Sequence, residues 1–213
     1  MAGQVITVAQ QKGGAGKTTL TAHLAVAWMK SGKSIALVDI DPQESLSDWH
    51  RQRVELLGEG AGITLRQVSG WRASTEVGRL KRDHDLVVMD SPPHGETAAK
   101  VAIRSADMIV VPVQLSPMDL WATRTTLDLA DGEKTPAVLV LNRVPPRGRL
   151  PDEIRSIIKQ LKLPVAKNTL GNRTAFAASL MEGKGVTEFA RTSPAADEID
   201  ALAGELMRRM KRL

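Results

Sequence analysis

Lys12-Gly13-Gly14-Ala15-Gly16-Lys17-Thr18-Thr19 packs glycines, cations and hydroxyls into one short stretch. Glycines let a backbone curl until its N–H groups converge, and such a nest at the start of a helix holds phosphate oxygens. Lys17 then supplies a cation for β- and γ-phosphates. The Thr18 hydroxyl is an oxygen ligand suited to Mg²⁺, and Thr19 is placed to bond an α-phosphate. An apolar run, Val5–Ala9, comes just before this loop and a helical pattern, Lys17–Lys30, just after it. That strand–loop–helix setting is what a phosphate loop requires.

Acids end two other apolar runs. Ser34–Ile40 leads into Asp39-Ile40-Asp41-Pro42-Gln43, and Leu86-Val87-Val88-Met89 leads into Asp90-Ser91-Pro92-Pro93. Carboxylates leaving a buried strand are costly without partners, and Mg²⁺, its waters and an attacking water would be such partners. Thr18, Asp41 and Asp90 are therefore the candidate metal residues. Asp39 has the alternatives of a place near the metal or a turn role. Asn142 ends a further strand and offers both a donor and an acceptor to a base. His94 is read as a solvated loop residue.

The elements that must position these groups alternate along the chain. Strands are predicted at Val5–Ala9, Ser34–Ile40, Ile63–Val68, Leu86–Asp90, Met108–Val113 and Ala137–Asn142, with a weaker one at Val165–Lys167. Helices are predicted at Lys17–Lys30, Glu44–Leu56, Arg72–Lys81, Glu96–Arg104, Leu120–Leu129, Asp152–Leu161, Thr174–Met181 and Asp197–Lys211. Continuous aliphatic runs mark strands covered on both faces. The expectation is an α/β fold, a mostly parallel twisted sheet flanked by helices on both faces, with residues 1–213 as one domain and the ligand at the carboxyl ends of the strands. The Val144–Pro151 loop, rich in proline and arginine, is read as a surface loop.

The chain has 213 residues and no cysteine, which excludes disulfides and cysteine-ligated clusters. No run of apolar residues is long enough to span a bilayer and no signal-peptide pattern opens the chain, so a cytoplasmic location is expected. The net charge of +5 is uneven: residues 1–142 hold 15 Lys and Arg against 16 Asp and Glu, whereas residues 143–213 hold 14 against 8. A basic last third suits an anionic partner, nucleic acid or a membrane surface, or a solubilising surface.

With Gln11 where the general phosphate-loop pattern has glycine, and Lys12 ahead of the glycines, the loop resembles the deviant form of the ParA/MinD family of P-loop ATPases. Asp39-Ile40-Asp41-Pro42-Gln43 and Asp90-Ser91-Pro92-Pro93 resemble that family's next two motifs, with Ser91 in place of its usual threonine. The resemblance covers nearly the whole chain and is to the short ParA type. It implies ATP and Mg²⁺ as cofactors, Lys12 reaching the nucleotide of a second subunit, Asp41 positioning the attacking water, Asp90 holding a metal-bound water, and Asn142 at the adenine edge. It also implies an ATP-bound homodimer that binds DNA without sequence preference, at the nucleoid. A ParB-like or cargo-adaptor protein would stimulate hydrolysis and release it. Arg173, Lys184, Arg191, Arg208 and Arg209, with Lys211 and Arg212, are the candidate phosphate contacts. The alternative is a membrane-cycling ATPase of the MinD type, using a C-terminal amphipathic helix whose stripe is Ile199, Leu202, Leu206, Met207 and Met210. The same stripe is what a helix packed on a sheet presents, and that reading is preferred.

Overall fold

A computed structural model describes residues 3–93, 96–147 and 150–213. His94 and the Gly148-Arg149 part of the proline- and arginine-rich loop lie outside them. The strands are β1 Gln4–Val8, β2 Ile35–Asp39, β3 Ile63–Gln67, β4 Leu86–Asp90, β5 Met108–Gln114 and β6 Ala137–Asn142. They form one sheet in the order β3-β2-β4-β1-β5-β6, and every pairing is parallel. Every residue of β2 and β4 is buried, as their unbroken aliphatic runs require.

The helices are α1 Lys17–Lys30, α2 Ser45–Leu57, α3 Ala73–Asp83, α4 Glu96–Arg104, α5 Pro117–Gly132, α6 Leu150–Gln160, α7 Thr174–Leu180, α8 Val186–Phe189 and α9 Pro194–Met210. The two-residue period of β2 sorts them. Ile35 and Leu37 face Leu24 and Trp28 of α1, Leu46 of α2 and Leu202 and Leu206 of α9. Ala36 and Val38 face Val77 and Leu80 of α3 and Ala102 of α4. On the far side of β1, Ala130 of α5 packs with Ile109 and Val111.

β4 lies between β2 and β1, and this placement builds the site. Val8 and Asp39 both stand opposite Asp90 in the register, so the segments leaving β1, β4 and β2 emerge side by side. The phosphate loop, Asp90 and Asp41 are far apart in sequence and meet at the carboxyl ends of these neighbouring strands.

α5 and α9 each begin three residues earlier than the periodicity predicts. Both starts follow a Ser-Pro pair. Ser116 Oγ accepts the Asp119 N–H and Ser193 Oγ accepts the Ala196 N–H, while Pro117 and Pro194 occupy the first turn, where no N–H is needed. The four-residue α8 had no periodic signal. The expected strand at Val165–Lys167 is a single parallel bridge from Val165 to Leu139. It stops there because Glu205 of α9 takes, at 3.0 Å, the Asn168 N–H that the next rung would use; the same carboxylate accepts the Lys167 N–H.

His23 of α1 bolts the segment after α7 in place. Its Nδ1 accepts the Val186 N–H at 3.1 Å, so Nε2 carries the proton and donates to Phe176 O at 3.2 Å. Burial lowers its pKa from 6.5 to about 4. The folded state therefore refuses a proton that the unfolded chain accepts between those values. Stability is full above pH 6.5 and falls as pH drops toward 4, by about 3 kcal/mol for this group. Thermal melts across that range should show this slope, and His23→Asn should remove its share of it. An unchanged slope in the variant would assign the effect elsewhere.

Candidate active site

Between Val8 and α1 the chain turns through Gly14 at φ +77° and Gly16 at φ +91°, both left-handed. At Gly16 a side chain is excluded twice, because a Cβ would also lie 2.6 Å from Asn142 Nδ2. Two loop carbonyls are turned away from the hollow and braced. Gln114 Nε2 donates to Gly14 O at 2.8 Å and Asn142 Nδ2 donates to Ala15 O at 2.9 Å. Gln10 ties the loop's entry to α5, donating to Thr123 Oγ1 at 3.0 Å while its Oε1 accepts from Thr126. Neither Gln10 nor Gln114 was singled out from the sequence. Their signal is an amide residue at or just past the carboxyl end of β1 and β5, matched by Asn142 on β6.

α1 has no side-chain cap and no acid in its first turn. Its first N–H groups and its positive dipole end face a hollow of about 620 Å³, lined by Gly13, Gly14, Gly16, Lys17, Thr18 and Asp41 among others. Lys17 is 7% exposed and its pKa is lowered, first by burial, with Asp90 and Asp41 pulling the other way. No hydrogen bond or ion pair engages its ammonium among the described residues. A desolvated, partnerless cation beside free amides calls for an anion.

Thr18 Oγ1 donates to Asp90 Oδ2 at 2.6 Å, while Asp90 Oδ1 is buried with no hydrogen-bond partner. Burial pushes the Asp90 carboxyl up to about 7. A buried carboxylate oxygen without a donor, next to a hydroxyl, is the hard-oxygen set that Mg²⁺ takes, directly or through its water. The residues fit the ion.

The two acids after β2 separate. Asp39 is fully buried, and its Oδ2 accepts the Ser47 N–H at 2.9 Å and hydroxyl at 2.7 Å, while Oδ1 accepts the Asp41 N–H at 3.1 Å. These bonds shape the turn into α2, and the same carboxyl stands opposite Asp90, whose pKa it helps to raise. Asp41 uses one oxygen to accept the Gln43 N–H at 3.0 Å and lines the hollow.

Lys12 lies 40% exposed with Nζ 2.8 Å from Asp119 Oδ1 on α5, so within one chain it folds back. The other Asp119 oxygen takes the Ser116 hydroxyl. Asn142 donates to the loop, and its Oδ1 accepts the Arg143 N–H at 2.9 Å. It also borders a second hollow of about 470 Å³, shared with Thr19, Arg143, Thr174, Phe176 and Leu180, which adjoins the first and has the room and the stacking surfaces for a nucleoside.

The candidate phosphate contacts are dispersed. Arg173 pairs with Glu198 at 2.6 Å beside the second hollow, and Lys184 pairs with Glu182 at 2.9 Å. Arg209 pairs with Glu205 at 2.8 Å and also donates to Val165 O at 2.8 Å. Arg191 and Arg208 are exposed without an ion-pair partner among the described residues. Arg208, Arg209, Arg212 and Lys167 rim one hollow at the end of α9, whose last residues reach the amino ends of β1, β5 and β6, away from the phosphate loop. The stripe Ile199, Leu202, Leu206 and Met210 is 0–3% exposed, Met207 packs against the same core, and Trp28 Nε1 donates to Ala203 O at 3.2 Å. A lipid-binding helix would need that stripe on its surface. Among the described residues, no helix is long and apolar enough to cross a membrane.

Comparisons with known proteins agree with this architecture. The profile for the CobQ/CobB/MinD/ParA nucleotide binding domain matches residues 6–186. The maintenance of carboxysome distribution protein A of Halothiobacillus neapolitanus is 30% identical over 212 residues, 95% of each chain. Among solved structures, the cell division ATPase MinD of Pyrococcus furiosus superposes with a TM-score of 0.81 at 20% identity, covering 97% of this chain and 99% of that one. MinD of Pyrococcus horikoshii, complexed with Mg-ADP, gives 0.80 at 19% identity over 95% of each chain.

Proposed function

The chain belongs to the CobQ/CobB/MinD/ParA nucleotide-binding family, and from that premise we propose that it is a Mg-ATP-dependent positioning ATPase. In this reading ATP joins two copies, the dimer holds DNA without sequence preference, and a cargo-bound partner triggers hydrolysis and release. The observation that carries it is the hollow where the partnerless Lys17 ammonium and the uncapped start of α1 meet Thr18, whose hydroxyl is bonded to the buried Asp90 carboxyl with its one orphaned oxygen. The relative with 30% identity across 95% of the chain favours a protein cluster of the carboxysome kind as cargo.

The residues divide the work. Backbone N–H groups of the loop and Lys17 grip the phosphates, and the second hollow receives the nucleoside. Thr18 and Asp90 would hold Mg²⁺, which would supply charge neutralisation at the phosphates. Asp41 orients the attacking water. Asp119 holds Lys12 out of the way until a second copy arrives, after which Lys12 neutralises charge developing in the other subunit. Such a site is slow until completed, which suits a switch.

The Lys12–Asp119 pair gives one expectation. A part-exposed ion pair is worth at most about 1 kcal/mol, so Asp119→Asn should strengthen analogue-dependent dimerisation about twofold to fivefold by light scattering. Lys12→Ala should abolish that gain. Weaker dimerisation in Asp119→Asn would show that Asp119 supports the dimer rather than restraining Lys12.

The functional reading is tested on DNA-coated surfaces and on anionic liposomes, with a slowly hydrolysed ATP analogue and with ADP. Retention on DNA with the analogue, lost with ADP and falling with salt, is expected. Arg208→Glu with Arg212→Glu should lower the salt slope by about 2. Retention on liposomes but not on DNA would replace this reading with membrane cycling.

A further inference from the structure

Arg53 of α2 is 0% exposed, and its guanidinium is fully engaged. Nε donates to Ala61 O at 2.8 Å. One terminal nitrogen donates to Gly183 O at 2.9 Å and Glu188 Oε2 at 2.7 Å. The other donates to Glu188 Oε1 at 2.8 Å and meets Met29 Sδ at 3.8 Å. Burial pushes the Glu188 carboxyl up, but Arg53 and the Gly185 N–H outweigh it and hold the group below its usual value. Beside this fork, Gln52 Nε2 donates to Met181 O at 2.6 Å. Gly183 has φ +62°, and a Cβ there would lie 2.7 Å from Arg53 Cα, so the loop after α7 rests directly on the backbone of α2.

The two elements joined here border both hollows between them: α2 lines the first through Ser45, Asp48, Trp49 and Gln52, and Leu180 of α7 lines the first and the second. α7 brings Phe176, Ala177 and Leu180 to the second hollow. α2 starts just after Asp41 and is bound to that turn, because Asp39 takes the Ser47 N–H and Asp41 O takes the Glu44 N–H at 2.9 Å. Displacing α2 therefore displaces Asp41. A buried ion pair contributes little net stability over apolar residues of similar volume, whereas a forked pair fixes direction and distance.

We propose that Arg53 is a positioning residue that couples seating of the nucleoside in the second hollow to the placement of Asp41, so that hydrolysis depends on the base and sugar as well as on the phosphates. This rests on the nucleotide reading of the two hollows.

Hydrogen exchange on the full chain tests it with two probes, ADP and inorganic tripolyphosphate. Both should slow exchange in the phosphate loop and in the start of α2 that borders it, but ADP alone should also slow the α2 amides beyond Gln52, by about tenfold. In Arg53→Met with Glu188→Leu, ADP should still protect the loop and α7 and no longer protect α2 beyond Gln52. The melting temperature should hold, and kcat for ATP should fall about tenfold with KM little changed. A purely structural role would lower the melting temperature and binding together. Protection of α2 beyond Gln52 by ADP in the double variant overturns the proposal. Equal protection of that part of α2 by ADP and tripolyphosphate in the unmodified protein overturns it even if the variant fails to fold. No protection of the loop by ADP removes the nucleotide reading itself.

Discussion

Lys17→Ala is expected to weaken Mg-ATP binding by at least about 100-fold. An ammonium with phosphate makes charge-assisted hydrogen bonds of about 1.5–3 kcal/mol each, and about 2.7 kcal/mol is a factor of 100. The apo protein gives this test its specificity. Lys17 is buried, its pKa is lowered by that burial, and no group in the described residues pairs with it. Its charge is therefore a burden on the ligand-free fold, relieved only in part by Asp90 and Asp41. The variant should melt at the same temperature as the parent protein or higher. The rise in melting temperature that ATP gives the parent should disappear. Calorimetry showing parental affinity would remove Lys17 from the phosphate site. A lower apo melting temperature would mean that the lysine serves the fold.

Legibility from sequence followed the physics of each feature. The phosphate loop, Asp41 and Asp90 stood out because polar groups ending aliphatic runs are expensive without a ligand. The helix-covered parallel sheet followed from the same runs. The order of the strands did not, because the insertion of β4 between β2 and β1 is a long-range choice that no local pattern encodes. The bracing by Gln10 and Gln114 was hidden for the same reason: it needs the ends of β1 and β5 placed against the loop and α5. Ser116-Pro117 and Ser193-Pro194 were readable signals, and weighing caps above periodicity would have found both helix starts. Arg53 gave no signal, since arginine is almost never wholly buried unless a partner distant in sequence, here Glu188, awaits it. The stripe on α9 fitted both core and lipid by sequence, with the core preferred, and its packing against α1 agrees with that preference.

Asp41→Asn should leave ATP binding and ATP-dependent dimerisation near parental values and reduce turnover by about 100-fold or more, the scale of a lost acid–base or water-orienting group. The assignment follows from comparing three carboxylates. Asp39 is wholly buried, spends three hydrogen bonds on Ser47 and the Asp41 N–H, has its pKa raised by that burial, and does not line the hollow. Asp90 is held against the Thr18 hydroxyl and suits the metal. Asp41 alone of the three borders the hollow with one oxygen that accepts no hydrogen bond among the described residues. Asparagine is the sharper replacement because its amide oxygen can still accept the Gln43 N–H and keep the turn, whereas alanine removes chemistry and turn together. Single-turnover hydrolysis beside equilibrium binding separates the outcomes. Parental turnover in Asp41→Asn would exclude the carboxylate from the chemical step. Turnover lost in alanine but kept in asparagine would assign Asp41 to the turn, and the attacking water would then have to be oriented from elsewhere.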